Sequence, residues 1–160
     1  MLHFGSKPPF SFERFLELCQ DKIADADLGV LKSVKETHAY AGSQPTLKKY
    51  HAFEVALRNE LVKIRASRKH IDPMKYIRGD AAYSEPYITH IALNAYRNPA
   101  LLEAEKTLDQ ERWRALDELA VGHYFDLDLL LTYALKLLIL ERWQRINSAE
   151  KTSLLNEILN

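Results

Sequence analysis

Apolar residues recur every three or four positions along most of the chain, which is the spacing of one face of an α-helix. The most apolar region, FDLDLLLTYALKLLILERWQRI, covers residues 125–146, and nearly every position from Leu127 to Leu140 is apolar. Asp126 is suited to cap its amino end. The uninterrupted apolar run is shorter than the ~18–20 residues that cross a bilayer, and it contains Lys136. We therefore predict the central helix of a soluble core rather than a transmembrane segment.

Similar patterns predict helices before and after this region. Ser11 is a natural N-cap for a first helix, and Asp25 or Asp27 is suited to cap a short second one. A long third helix is expected from about Thr46 to His70. Pro73 and Pro86 each suit the first turn of a further helix, a helix follows Pro99, and Ser148 is expected to cap the last one. The apolar positions expected to face the core of these helices include Phe12, Phe15, Cys19, Leu31, Val34, Tyr50, Phe53, Leu57, Leu61, Ile64, Ile88, Ile91, Ala92, Ala95, Leu101, Ala104, Leu108 and Leu119.

These elements predict an all-α protein, a compact bundle of about six to seven helices around the hydrophobic helix 125–146. At 160 residues the chain is expected to form a single domain, residues 1–160. Residues 1–10 are expected to be an irregular lead-in because Gly5, Pro8 and Pro9 interrupt them. Residues 37–46 have the small and polar composition of a mobile loop.

Composition excludes several classes of protein. The 22 basic and 22 acidic residues give a formal net charge of zero, so the whole molecule is not an electrostatic binder of nucleic acid or membrane. The single cysteine, Cys19, excludes an internal disulfide framework and fits a reducing cytosol. We interpret Cys19 as a small buried hydrophobe, not as a nucleophile. The amino-terminal MLHFGSKPP contains no apolar run that resembles a secretion signal.

No catalytic motif emerges from the spacing of reactive residues. The six histidines are scattered, no glycine-rich phosphate loop occurs, and no nucleophile elbow is present. The carboxylates Glu103, Glu105, Asp109 and Glu111 lie on one amphipathic helix, where a solvated face is the expected arrangement. The sequence therefore predicts no catalytic residue, no cofactor and no metal site.

Charge is distributed unevenly along the chain. Basic residues are in excess between positions 58 and 78, and acidic ones between about 99 and 128. The basic residues are Arg58, Lys63, Arg65, Arg68, Lys69, Lys75 and Arg78. Antiparallel packing of the two helices would neutralise both regions internally; without it, the surface is dipolar and suited to oriented docking. A strip from Arg58 to Arg78 is also compatible with nucleic-acid binding, with a general helical protein-interaction module, or with a merely solvated helix face.

Four segments together resemble an uncharacterised bacterial family. They are PPFSFERFLE, FEVALRNELVKIRASRKHIDPMKYI, RNPALLEAEKTLDQERWRALDELA and YFDLDLLLTYALKLLILERWQRI. The family they resemble is encoded in V-type ATP synthase operons, at the position of the C-type stalk component. The resemblance implies a C-like subunit, similar to the eukaryotic d-type protein: a helical socket that joins the central stalk to the membrane rotor ring and does not hydrolyse ATP itself.

The same resemblance implies partners, location and a set of structural or partner-contact residues. The partners would be other subunits of the V-type ATPase, and the protein would be cytoplasmic and peripheral to the membrane through that complex. The residues that match the pattern are Arg58, Asn59, Glu60, Arg65, Glu103, Glu105, Trp113, Lys136, Glu141, Arg142 and Trp143. We further expect Lys136 either to reach the surface or to meet a carboxylate, with Glu105 and Glu111 as the first candidates.

Overall fold

The structure is a computed structural model that describes residues 2–35, 42–79 and 85–159. It contains six α-helices, and no strand occurs within these ranges. The prediction of an all-α protein is therefore confirmed. The helices are α1 (Phe12–Cys19), α2 (Asp25–Lys32), α3 (Pro45–Lys69), α4 (Pro86–Arg97), α5 (Leu101–Leu119) and α6 (Leu127–Leu159), and a short 3-10 helix covers Pro73–Lys75 between α3 and α4.

The chain divides into two compact units. One contains Met1–Lys35 and Ala120–Asn160, and the other contains Glu36–Leu119. Whether the chain folds as the predicted single domain is not tested by this division and stays a prediction. The predicted mobile loop 37–46 lies mostly outside the described residues, and α3 already begins at Pro45.

In the first unit, α6 packs against α1 and α2. Leu131, Leu137 and Leu140 are fully buried, as the apolar pattern predicts. The predicted break after Ile146 is wrong, because α6 continues to Leu159. The Ser148 hydroxyl is inside this helix and donates a 2.8 Å hydrogen bond to the Gln144 carbonyl, so it does not cap a separate helix.

The predicted start of α1 is confirmed, and the predicted cap of α2 is wrong. The Ser11 hydroxyl accepts a 3.1 Å hydrogen bond from the Arg14 amide, which satisfies one of the free donors of the first turn. The N-cap of α2 is Ala24, and no side chain bonds to the amides there. Asp25 and Asp27 instead lie in the first turn, where their charge still complements the helix dipole.

In the second unit, α3, α4 and α5 pack against one another. The buried apolar cluster consists of Leu57, Ile88, Ile91, Ala92, Ala95 and Leu108, and Phe53, Ala56, Leu61 and Ile64 cover it partly. The stripe predicted for α3 is thus confirmed. The core position predicted for Leu101 is wrong: this residue is the first of α5 and its side chain is 77% exposed.

None of the helices, as far as the structure describes the chain, is long and apolar enough to cross a membrane. This includes α6, whose apolar run is interrupted by Lys136 and then followed by Glu141 and Arg142.

Candidate functional site

Five cations are exposed over a short stretch at the carboxyl end of α3 and just beyond it. They are Arg65, Arg68, Lys69, Lys75 and Arg78. Asp72 is the one carboxylate in residues 65–78, so five positive charges less one negative charge leave this stretch at +4. We call residues 65–78 the basic segment.

Backbone hydrogen bonds turn the chain sharply at the end of α3. His70 adopts a left-handed conformation with φ of 53°, a common way for a helix to end. The Ile71 amide then donates to the Ala66 carbonyl at 3.1 Å. The Asp72 carboxylate accepts from the Met74 amide at 2.9 Å and caps the 3-10 helix that Pro73 begins, as the Asp-Pro pair predicts.

Two residues of α3 hold the rest of the basic segment. The Arg58 guanidinium donates to the Tyr76 carbonyl at 2.9 Å. The buried Asn59 amide group donates to the Arg78 carbonyl at 2.8 Å, and its oxygen accepts from the Arg78 amide at 3.1 Å. Because Asn59 lies ten residues before Lys69, which is about 15 Å of helix, the chain runs back along α3. Arg58 and Asn59 therefore act as positioning residues for this segment.

The carboxylates of α5 do not neutralise the basic segment. Within the described part of the chain, none of its five cations forms an ion pair. Arg68 instead donates to the Tyr96 hydroxyl of α4 at 3.0 Å. The sequence left open whether the basic and acidic helices neutralise each other or leave a charged surface. These five cations are not neutralised by the acidic helix.

Lys63 differs from the other basic residues predicted for the strip. Its ammonium lies 2.7 Å from the buried Glu60 carboxylate, which also accepts a 3.0 Å hydrogen bond from Thr89. Lys63 and Arg58 are therefore engaged within the protein, and the five remaining cations of the predicted strip are those of the basic segment.

Apolar side chains are exposed among these cations. Met74 is 62% exposed, Tyr76 is 52% exposed and Ile71 is 44% exposed. The sequence analysis did not predict the exposure of these three side chains. The available signal was the combination of Met, Ile and Tyr with Lys and Arg around the Asp72-Pro73 turn.

A second group of charges in the same unit is buried. Arg112 of α5 donates to the Glu54 carboxylate of α3 at 2.7 Å and to the Asp109 carboxylate at 2.8 Å. Asp109 is only 1% exposed, so the expectation that it belongs to a solvated face is wrong. The pairing also runs opposite to the expected one, because α3 supplies the acid and α5 the base. We call Glu54, Asp109 and Arg112 the Arg112 cluster.

The surroundings of the Arg112 cluster raise the pKa of Arg112 and of the neighbouring Tyr50. Burial favours loss of the Arg112 proton, but the Glu54 and Asp109 carboxylates outweigh it and raise the pKa of Arg112 above its usual value. Burial and the adjacent Glu54 carboxylate raise the pKa of Tyr50 well above the usual range of a tyrosine. Arg112 and Tyr50 thus both keep their protons near neutral pH, which suits a structural role.

The remaining residues that match the family pattern are divided between the two units. Glu141 is half-buried and accepts a 2.8 Å hydrogen bond from the Phe12 amide, so it satisfies a donor at the start of α1. Trp113 and Trp143 are buried, and Arg65 and Glu103 are exposed. The residues Glu105, Lys136 and Arg142 are half-buried, and each has an interaction partner.

The expected approach of Lys136 to Glu105 or Glu111 stays a prediction. Lys136 belongs to one unit and the two carboxylates to the other. Within its own unit, Glu111 already lies 2.7 Å from Arg114 and accepts a 2.5 Å hydrogen bond from Tyr87.

Side chains able to hold a metal ion meet at the start of α6. His123, Asp126 and Asp128 place one donor atom each within 4.8 Å of one another. Hydrogen bonding accounts for this arrangement, because Asp126 accepts from the Leu129 amide at 3.0 Å as the predicted N-cap of α6 and lies 2.6 Å from His123 Nδ1. The prediction of no metal site and no cofactor remains untested.

A groove of about 490 Å³ opens between α3, α4 and α5. Its lining is mainly apolar, and its charged members are Lys49, Glu85 and Glu118. The Arg112 cluster is not part of this lining, so the groove does not bring the buried charges into contact with a ligand. That the chain is not an enzyme stays a prediction.

The fold and surface define an all-α protein with a rigidly held, basic and partly apolar segment. Residues 86–160, which are 75 of the 160 residues, match a family model described as "Protein of unknown function (DUF2764)". This match begins at the first residue of α4 and extends through α5 and α6. Comparison with curated proteins and with solved structures gave no match.

Proposed function

We propose that this chain is a non-catalytic, C-like subunit of a V-type ATPase or ATP synthase. In this role it couples the rotor ring to the central stalk during proton or sodium translocation, while other subunits hydrolyse ATP. The protein would be cytoplasmic and peripheral to the membrane through the complex. The resemblance of its helical segments to a family encoded in ATP synthase operons supports this assignment.

The structural observation that carries the proposal is the unneutralised charge of the basic segment. A coupling protein must dock in one orientation, and a rigid surface of one charge sign both steers an approaching partner and rejects surfaces of like charge. Arg58 and Asn59, which match the family pattern, hold this surface in place. Their role as positioning residues agrees with the structural role that the resemblance implies.

Nucleic-acid binding through the strip Arg58–Arg78 is the alternative function. Two of the seven cations that it would use, Arg58 and Lys63, are engaged within the protein. This leaves fewer charges to displace counterions from a phosphate backbone. The alternative is therefore less well supported than docking on a protein complex, and a general helical interaction module is the remaining one.

Co-purification tests the proposal directly. The chain would be tagged in the organism that produces it, and the ATPase would be isolated from solubilised membranes by a tag on another of its subunits. We expect stalk and ring subunits together with this chain in fixed proportion. A complete, active ATPase that lacks the chain would refute the proposal.

A charge-reversal pair makes the same experiment specific. Arg68→Glu with Lys69→Glu is expected to reduce the amount of chain in the complex, because two cations of the docking surface are inverted. Lys106→Glu inverts an exposed charge on α5 and should have no effect. Equal retention of both variants would show that the basic segment is not the docking surface.

A further inference from the structure

We propose that the basic segment binds the surface of an anionic phospholipid bilayer, with Met74, Tyr76 and Ile71 entering the headgroup region. This inference does not depend on the ATPase assignment. It rests on three features of the described residues: which side chains are exposed, what charge surrounds them and how rigidly the backbone is held.

The exposed side chains fit a bilayer interface better than they fit nucleic acid. Tyr76 combines an apolar ring with a polar hydroxyl, and such side chains are enriched at the headgroup level of membranes. Met74 and Ile71 offer neither a hydrogen-bonding group nor an aromatic face to a base, but both lose contact with water when they enter the acyl boundary.

The charges around these side chains select anionic lipids. Five cations and one carboxylate occupy residues 65–78, and Lys and Arg can extend their charged ends toward lipid phosphates while their stems lie on apolar surface. Each cation near an anionic surface contributes roughly fivefold to binding, and the contribution falls with salt. The segment therefore combines the apolar and the electrostatic signal that reversible membrane binding requires.

The fixed backbone lowers the cost of binding. Asn59 bonds both peptide groups of Arg78, Arg58 bonds the Tyr76 carbonyl, and Asp72 caps the turn that carries Met74. The apolar side chains are therefore presented without first ordering a loop, which would reduce the affinity. This preorganisation distinguishes the basic segment from a flexible polybasic tail.

Vesicle sedimentation with the purified full chain tests the inference. The probes are unilamellar vesicles of phosphatidylcholine, with and without phosphatidylglycerol, at low and high salt. We expect binding only to the vesicles with phosphatidylglycerol, weakened by salt. Absence of binding at low salt, or equal binding to both vesicle types, would overturn the inference.

Three variants separate the two contributions. Met74→Ser is expected to weaken vesicle binding roughly tenfold because it removes the most exposed apolar side chain of the basic segment. Lys75→Gln should weaken it about fivefold, and the matched control Lys106→Gln on α5 should leave it unchanged. The substituted side chains are exposed, so the thermal unfolding of each variant should match that of the original chain.

Nucleic acid provides the discriminating comparison. Fluorescence anisotropy with labelled duplex and single-stranded DNA, at the salt of the vesicle assay, is expected to show weaker binding that Met74→Ser does not change. Binding to DNA without binding to vesicles, or a loss of vesicle binding with Lys75→Gln but none with Met74→Ser, would overturn the bilayer inference. The two proposals can fail separately, because neither vesicle result depends on the ATPase.

Discussion

The Arg112 cluster and the basic segment both include residues of α3, but their charged side chains differ in burial and in pairing. In the cluster, two carboxylates and one guanidinium are buried and bonded to each other. In the basic segment, five cations are exposed without an ion pair in the described part of the chain. Buried charges need partners because desolvation is costly, whereas exposed charges remain available for another molecule. The difference separates residues that hold α3 and α5 together from residues suited to binding.

Among the substitutions that test this difference, removal of the Arg112 charge should lower the stability most. Arg112→Met keeps much of the side-chain volume but leaves Glu54 and Asp109 buried without their cation. We expect the free energy of unfolding to fall by about 3–5 kcal/mol, measured by chemical denaturation at neutral pH.

The matched control for that variant is Arg114→Met, two positions further along α5. Arg114 is exposed and forms an i,i+3 pair with the partly buried Glu111, which also accepts a hydrogen bond from Tyr87; loss of this exposed cation is expected to cost about 0–1 kcal/mol. Similar losses for the two variants would show that burial of the Arg112 cluster does not set its contribution.

Asn59 holds the basic segment against α3, and its removal should have the second largest effect. Asn59→Ala leaves the amide and the carbonyl of Arg78 without their partner, with an expected loss of about 1–3 kcal/mol in stability. It should also weaken vesicle binding although it removes no charge, because the backbone of the basic segment is no longer held. Denaturation and vesicle sedimentation measure the two effects.

Unchanged vesicle binding by a stable Asn59→Ala protein would contradict the argument from preorganisation. The double variant with Lys75→Gln tests it further. If Asn59 acts by positioning the segment, substitution of Lys75 should reduce binding less in the Asn59→Ala background than in the original chain.

The sequence predicts the helices well because their signal is local. The three-and-four spacing from Tyr50 to Ile64 and the Asp72-Pro73 pair are each sufficient without knowledge of any neighbouring element. The burial of Asp109 does not follow from the sequence, because it depends on the register of α5 against α3, which brings Glu54 opposite Arg112. The spacing of Asp109 and Arg112 by three positions was an available signal, but it is equally typical of an exposed pair.

For the candidate site, the sequence predicted the positive charge of the basic segment but not its exposed apolar side chains. The excess of Lys and Arg between 58 and 78 is visible in the sequence, but the turn at His70 that exposes Met74 and Tyr76 is not. The break expected before Ser148 failed for a related reason, since a good N-cap residue also fits inside a helix when its hydroxyl bonds the preceding turn.

Tyr50, beside the Arg112 cluster, should make the free energy of unfolding decline at alkaline pH. This effect is expected to be smaller than those of the Arg112 and Asn59 substitutions. Its pKa is raised in the folded protein, so the folded state keeps the phenol proton at a pH where the unfolded chain loses it. The corresponding stability is complete below the unfolded pKa of about 10 and is lost as pH rises toward the folded pKa. Tyr50→Phe should therefore reduce the alkaline decline in unfolding free energy by up to ~1.4 kcal/mol per pH unit.

The pH dependence measured for Tyr50→Phe must be compared with that of a variant at another tyrosine. Burial also raises the pKa of Tyr133, which lies in the other unit, so Tyr133→Phe serves as the comparison. A larger change of slope for Tyr133→Phe than for Tyr50→Phe would contradict the assignment of the alkaline effect to the Arg112 cluster.

Glu141 extends the comparison to a half-buried charge, where the smallest effect is expected. Its carboxylate accepts the hydrogen bond of the Phe12 amide, which places a negative charge at the amino end of α1. Glu141→Gln keeps an acceptor and should cost about 0.3–1 kcal/mol, whereas Glu141→Ala removes it and should cost about 1 kcal/mol or more. Glu17→Gln, which neutralises an exposed carboxylate of α1, is the control in the same denaturation series. If both Glu141 variants match that control, the charge contributes nothing to α1, and its match to the family pattern would then have to reflect binding to another molecule.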